Sequence, residues 1–334
     1  MKRNGNLSRN LLLTTIAMVV LAMGWALDES WSAEEKYPQK PIRVIIAFPP
    51  GSSDMSFRPF TEKIPTYLGQ PMAFVYKPGA TGSVGASFAA KAEPDGYTLF
   101  GTPRGPLVLA PMNLEGLDYS LDSFVPIVRL SSSPQVVAVK ADSPWKTIKD
   151  LMKEAKKSPG MLTYSHSGVL GNSHLPMEMF KKSAGIELNH VPCAGSGESV
   201  TALLGGHVHM ASATMPVLSP HVASGALRLI GVFEDKRMKA FPNVSTFGEE
   251  GFPVVLSSWY GFVAPKGTPK QIIEKIHTAF KRVIEDHRSF IDTRLEKMFL
   301  NLDYLDPQEF AKELKRENET LRPIVMELRK TTKQ

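Results

Sequence analysis

The chain has 334 residues, 43% of them hydrophobic and 22% charged, with a formal charge of +6. Its lysines and arginines are scattered rather than gathered in one tract, which argues for tolerance of anionic partners and against a nucleic-acid partner. The single cysteine, Cys193, excludes an intrachain disulfide framework, a thiolate metal cluster and a lipid-modified cysteine after a leader.

Lys2, Arg3 and Arg9 precede an apolar stretch from Leu11 to Trp25, with Gly24 and Ala26 as small residues around Trp25. This is the pattern of a secretory signal peptide over residues 1–26, with cleavage as late as residue 33 also open. A membrane anchor is the alternative, but the run is short for a span of roughly 20 residues and Asp28 and Glu29 follow it. Cleavage after Ala26 removes three basic residues and takes the formal charge from +6 to +3. The remaining chain exceeds the size at which one core keeps growing, so two lobes are expected.

Ile42 to Ala47 is a nearly continuous apolar run that stops in Phe48-Pro49-Pro50-Gly51-Ser52-Ser53-Asp54. A helical pattern then resumes at Phe57, Phe60 and Ile64, with Pro59 and Pro65 predicting a short or kinked helix from about Asp54. The strand suits a parallel sheet buried on both faces. Free amides and hydroxyls at the following helix N-terminus favour an anion. Met72 to Tyr76 reads as a strand, Ser83 to Ala92 as a helix, and Tyr97 to Phe100 as a strand after the stop Glu93-Pro94-Asp95-Gly96. The repeating strand-loop-helix unit places the chain in the α/β class with mostly parallel sheets.

Two extended segments, Phe124 to Val139 and Val254 to Ala264, are suited to carry the chain from one lobe to the other and back. Between them, helices are expected over Trp145–Ala155, after His174 and over Ser196–Leu204, with strands at Met161–Tyr164 and Leu227–Phe233. Ser165, His166, Ser167, Asn172 and His174 lie around a second strand-to-loop transition like the first. Thr268-Pro269-Lys270-Gln271 and Asp306-Pro307-Gln308-Glu309 read as helix starts, each with a capping residue and an N1 proline.

The chain contains no nucleophile elbow, phosphate loop, dinucleotide fingerprint or zinc-protease motif. Ser143-Pro144-Trp145-Lys146 matches a lone S-x-x-K, which means little without further partners. His207 and His209 would share one face of a strand, but without a carboxylate or thiolate nearby a solvated edge is favoured over a metal site. Cys193 reads as a small hydrophobe. The serines and asparagines of the two loops are equally what turns and N-caps use; two such loops facing each other across a cleft favour a binding site.

The chain resembles the extracytoplasmic solute receptors of tripartite tricarboxylate transporters, the Bug-type proteins, from about Tyr37 to the C-terminal helix. The segments that carry this are the Phe48–Asp54 loop, Lys77-Pro78-Gly79-Ala80, Lys91 to Leu99, His174-Leu175, His190-Val191-Pro192, Leu203 to Gly206, Trp259-Tyr260-Gly261 and Ala264 to Pro269. The resemblance implies a two-lobed periplasmic binding protein of type II, the Venus-flytrap kind, with residues 37–127 and 256–334 in lobe I and 128–255 in lobe II. It implies a cleaved, periplasmic, non-enzymatic monomer without cofactor or metal, which captures a small organic carboxylate for a two-component membrane permease. An exported sensor that presents its liganded form to a signalling membrane protein is the alternative function. The expected ligand-binding residues are Phe48, Pro50, Gly51, Ser52, Ser53, Asp54, Arg104, Ser165, His166, Ser167, Asn172, His174 and Ala213. Relatives carry more glycines in the first loop, small residues at His166 and Leu170, an aromatic at Cys193 and often an acid at Ala213. The lost acid predicts a di- or aromatic carboxylate rather than an amino acid, with Arg104 meeting a second carboxylate.

Overall fold

The computed structural model describes residues 37–332, so the expected signal peptide and both its cleavage points lie outside the described residues. No helix among the described residues is long and apolar enough to cross a membrane.

Strand β1 (Ile42–Ile46) leads into α1 (Ser52–Thr61), then β2 (Met72–Tyr76), α2 (Ser83–Ala90), β3 (Thr98–Pro103) and the long β4 (Phe124–Ser133). The chain then enters β5 (Gln135–Lys140), α3 (Ile148–Lys157), β6 (Thr163–His166), α4 (Leu175–Ala184), β7 (Asn189–Pro192), α5 (Ser196–Leu204), β8 (Met210–Thr214), α6 (Met215–Ala223) and β9 (Leu227–Val232). It returns through β10 (Ser258–Pro265) to α7 (Lys270–Asp286), α8 (Arg288–Lys297), β11 (Asn301–Leu305) and α9 (Pro307–Thr331). The strands form two sheets, ordered β11-β4-β10-β3-β1-β2 and β7-β6-β8-β5-β9, the two-lobed α/β architecture expected from the sequence.

The two sheets share a plan. In each, three strands pair in parallel, β2-β1-β3 and β7-β6-β8, and one antiparallel strand follows, β10 or β5. That antiparallel strand is in each case the first one the chain forms on arriving from the other lobe. Side chains of β5 alternate between the two faces of its sheet as strand geometry requires: Val137 and Val139 enter one buried cluster with Tyr164 and Phe180, while Val136 and Ala138 enter another with Leu203 and Leu218.

The change of sheet falls at Pro134, not after residue 127. β4 continues pairing with β10 until Ser133 lies opposite Ser258, so residues 128–133 complete a strand of the first sheet. The return falls correspondingly at Ser257–Ser258. The helix expected from Trp145 begins at Ile148, where Thr147 accepts the Asp150 amide at 3.2 Å and closes a capping box. Thr268 does not cap α7; its hydroxyl donates to the Pro265 carbonyl at 2.8 Å.

Helix α9 carries a stripe of buried residues, Phe310, Leu314, Glu317, Leu321, Val325 and Leu328, at helical spacing. It packs on the first sheet, and its end reaches the second lobe, where Glu327 meets Lys182 at 2.5 Å. Glu317, the acid in this stripe, is buried against Arg104. The guanidinium donates to its two carboxylate oxygens at 3.0 and 2.8 Å, and the Trp259 indole N–H donates to the same carboxylate at 2.9 Å. Arg104 also donates to the Ser257 carbonyl at the return crossing.

Candidate ligand-binding site

Between the sheets lies a cavity of about 40 Å³, room for about three water-sized groups at roughly 10–15 Å³ each. Helix starts from both lobes converge on it. Ser52 and Ser53 open α1, Ser196 opens α5, Thr214 is the N-cap of α6, and Thr81, Asn172 and Ser173 lie in the turns leading into α2 and α4; all seven line the cavity. A helix N-terminus carries unpaired N–H groups and roughly half a positive charge. Among the described residues, no Asp, Glu, Lys or Arg lines the cavity.

The lobes touch through hydroxyls here. Ser52 of the first lobe receives hydrogen bonds from Thr214 Oγ1 at 2.8 Å and Ser196 Oγ at 3.1 Å, both of the second, and Thr214 in turn lies 3.2 Å from the Tyr260 hydroxyl. Burial raises the Tyr260 pKa, against hydrogen bonds from neighbouring hydroxyls that lower it, so the phenol keeps its proton and can donate. Asn172 Nδ2 donates across the lobes to Ser258 Oγ at 2.9 Å. Backbones approach closely at the same seam. A Cβ on Gly195 would stand 3.2 Å from Pro49, and one on Gly168, whose φ is +132°, would stand 2.6 Å from Thr81.

Six of the expected ligand residues line the cavity: Phe48, Ser52, Ser53, Ser167, Asn172 and Ala213. The others do not. Pro50 and Gly51 sit at the seam, facing Gly197 and Ser196 of the other lobe. Asp54 turns back to accept the Gly51 amide at 2.6 Å and the Tyr76 hydroxyl at 3.2 Å, with Arg58 beside it at 3.3 Å. Arg104 points to Glu317 instead of a ligand, because a guanidinium that far inside needs a fixed counter-charge. Ser165 donates to the Ser199 carbonyl at 2.8 Å beneath the site.

His166 and His174 also lie beneath it, in a hydrogen-bonded cluster with His190. The ligand-loop amides of Gly168 and Leu170 donate to His166 Nδ1 at 3.1 Å and to His174 Nδ1 at 2.8 Å. Those nitrogens are therefore unprotonated, which leaves His166 Nε2 to donate to His190 Nδ1 at 3.1 Å and His174 Nε2 to donate to Glu178 at 3.2 Å. Burial pushes the His166 pKa down to about 2, with His174 and His190 adding to the effect, and burial lowers that of His174 as well. Burial alone would raise Glu178, but bonds from His174, Lys181 and Tyr164 hold its pKa well below the carboxylate range. The ligand atoms of the three histidines lie within 4.8 Å of one another, a spacing that fits an ion. The bonding does not fit one: each Nδ1 lone pair is already used, and the His166 and His174 rings stack at 3.9 Å and 5°, so both cannot hold one ion in their planes. His207 and His209 precede β8 rather than sharing its face, and His209 Nδ1 accepts the Thr163 amide at 3.1 Å.

The sequence reading missed Thr81, Gln135, Ser173, Ser196, Thr214, Ser258 and Tyr260. Thr214 had a signal, since threonine is a favoured N-cap and Pro216 falls in the first turn after it, where proline is tolerated. Tyr260 lay within a segment that carried the family resemblance. Gln135 gave only its polarity at the head of the run Val136–Val139.

A family model described as the tripartite tricarboxylate transporter family receptor matches residues 56–329. A protein of Cupriavidus necator, described as the UPF0065 protein in the gbd 5' region, is 36% identical over 297 residues, covering 89% of this chain and 90% of its own. Protein BugT of Bordetella pertussis is 32% identical over 266 residues, covering 78% and 81%. Among solved structures, one described as a periplasmic transporter superposes with a TM-score of 0.82 at 36% identity, over 86% of this chain and 97% of the other. MatC from Rhodopseudomonas palustris with bound malate superposes with a TM-score of 0.81 at 25% identity, over 86% and 100%.

Proposed function

Because the chain belongs to the receptor family of the tripartite tricarboxylate transporters, we propose that it captures a small organic carboxylate in the periplasm, as a monomer, and delivers it to a two-component membrane permease. The observation that carries the ligand class is the cavity itself: helix starts from both lobes, hydroxyls between them, and no Asp, Glu, Lys or Arg among the described residues that line it. Fixed N–H dipoles stabilise an anion with little reorganisation, and bridging waters serve nearly as well as direct bonds. An ammonium would meet the positive ends of the helices with no acid among the described lining residues to offset them. A compact diacid or an aromatic acid is therefore favoured over an amino acid, and malate bound to MatC is consistent with that class.

The proposed role is binding rather than catalysis. Ser167 Oγ pairs with Ser173 Oγ at 2.9 Å and Ser165 with a carbonyl, so neither has a base within hydrogen-bond reach. Ligand entry requires the lobes to part, because the enclosed space is smaller than a diacid. The hydroxyl bridges through Ser52 then reform around the bound molecule.

A thermal-shift screen of the mature protein against mono-, di- and tricarboxylates, aromatic acids and amino acids tests the ligand class. A ligand at 100 times its Kd adds about 2.7 kcal/mol to the native state, so a carboxylate should raise the midpoint clearly. Shifts with amino acids alone would overturn it. Loss of carboxylate uptake in cells lacking the permease but retaining the receptor checks the delivery step.

A further inference from the structure

Two residues at the cavity carry amide oxygens with no hydrogen-bond partner among the described residues. Gln135 is fully buried at the start of β5; its Nε2 donates to Ser212 Oγ at 3.1 Å, and its Oε1 is sealed from solvent without a hydrogen bond. Asn172 repeats the arrangement, with Nδ2 on Ser258 Oγ and a sealed Oδ1 that has none. Both residues line the cavity.

A carbonyl oxygen only accepts, and so does an ionised carboxylate. A plain carboxylate therefore cannot satisfy either atom, and a buried acceptor left unpaired penalises the complex that leaves it so. What meets these oxygens must bring an N–H or an O–H. The helix starts around the cavity disfavour an ammonium, and no acidic side chain lines the cavity to balance one. Resting on the carboxylate reading above, we propose that the ligand is a hydroxycarboxylate whose hydroxyl donates to Gln135 Oε1, with Asn172 Oδ1 as a second acceptor. Gln135 and Asn172 then set specificity, while the serines and helix amides hold the carboxylate. A site built to bond a ligand hydroxyl rejects the analogue that lacks it more strongly than an apolar pocket rejects a change of size.

Isothermal titration of the mature protein with matched pairs tests this: L- or D-malate against succinate, 3-hydroxybutyrate against butyrate, citrate against tricarballylate. In at least one pair the hydroxylated member should bind on the order of tenfold to a hundredfold more tightly. In Gln135→Met that ratio should fall towards one. Asn172→Ala, at a half-buried position in the turn before α4, should reduce the ratio as well and gives a reading if Gln135→Met fails to fold. Equal binding within every pair, or a ratio kept by both variants, overturns the proposal. So does a preference for succinate with Gln135→Met losing affinity for both acids, which would mean the amide turns its NH2 to the carboxylate. If no carboxylate of any kind binds, the carboxylate reading itself fails, an outcome distinct from equal binding of a pair.

Discussion

At the scale of single residues, burial decides which charges serve the ligand and which serve the fold. Arg104 and Glu317 are paired within the first lobe, each side chain 7% exposed. Removing one member of such a pair strands the other, at about 3–5 kcal/mol. Arg104→Ala should therefore lower the urea-unfolding free energy by that amount, while the folded protein keeps its carboxylate affinity; a stable variant that had lost binding would return Arg104 to the ligand. His166 and His174 give a pH dependence of known sign. Their folded pKa values lie below the ordinary 6.5, so the unfolded chain takes up protons first, and stability falls as pH drops below about 6.5 and continues to fall towards the folded values. Each proton contributes about 1.4 kcal/mol per pH unit. Urea midpoints measured from pH 7.5 to 5 should fall, and His166→Asn should flatten the slope.

Arg104 also shows why part of the site was illegible. Its partner lies 213 residues away in the C-terminal helix, and no local pattern joins the two. His166 was misplaced for a different reason. Ending the strand at Tyr164 put Ser165 and His166 in the loop, whereas β6 runs through His166 and buries both, Ser165 against Ser199 and His166 against His174 and His190. Of the six cavity-lining residues that were legible, Ser52 and Ser53 open α1 and Asn172 lies in the turn before α4, where local chemistry and function want the same side chains.

At the scale of elements, periodicity and caps located most boundaries to within a few residues. The start of α9 is the clearest: Asp306 accepts the Gln308 and Glu309 amides at 2.8 and 2.9 Å. Asp306→Ala should lower stability by about 1 kcal/mol, read as a drop in the thermal midpoint without change in ligand affinity. An unaltered midpoint would mean that packing of the Phe310–Leu328 stripe alone sets the helix start. Serines 131–133 extend β4 because β10 and β11 supply a ladder on either side of it.

At the scale of the whole molecule, two lobes and their crossings were legible from length and from the two extended segments. The close approach of their backbones was not. Gly168 is the sharpest case: at φ +132° a side chain is strained, and a Cβ would press on Thr81 of the other lobe. Gly168→Ala should hold the lobes apart and weaken binding of the carboxylate found in the screen, mainly through faster dissociation in stopped-flow measurements. Adding Thr81→Ser, which removes the methyl group, should recover part of the loss. No recovery would assign the effect to backbone strain alone.

The interleaved strand order also fixes a sequence of assembly. The second sheet is drawn from one continuous stretch, residues 135–232, whereas the first joins β1 to β4 with β10 and β11 from the far end of the chain. A polypeptide that emerges N-terminus first can finish its second lobe while the first still lacks its central strand and its long closing helix. Until about residue 265 has appeared, β3 holds an unpaired edge beside β1. The part made first is thus completed last, and a nearly full-length chain remains short of its native state until synthesis is almost over, an order of events that suits the periplasmic role proposed above, which requires passage through a membrane.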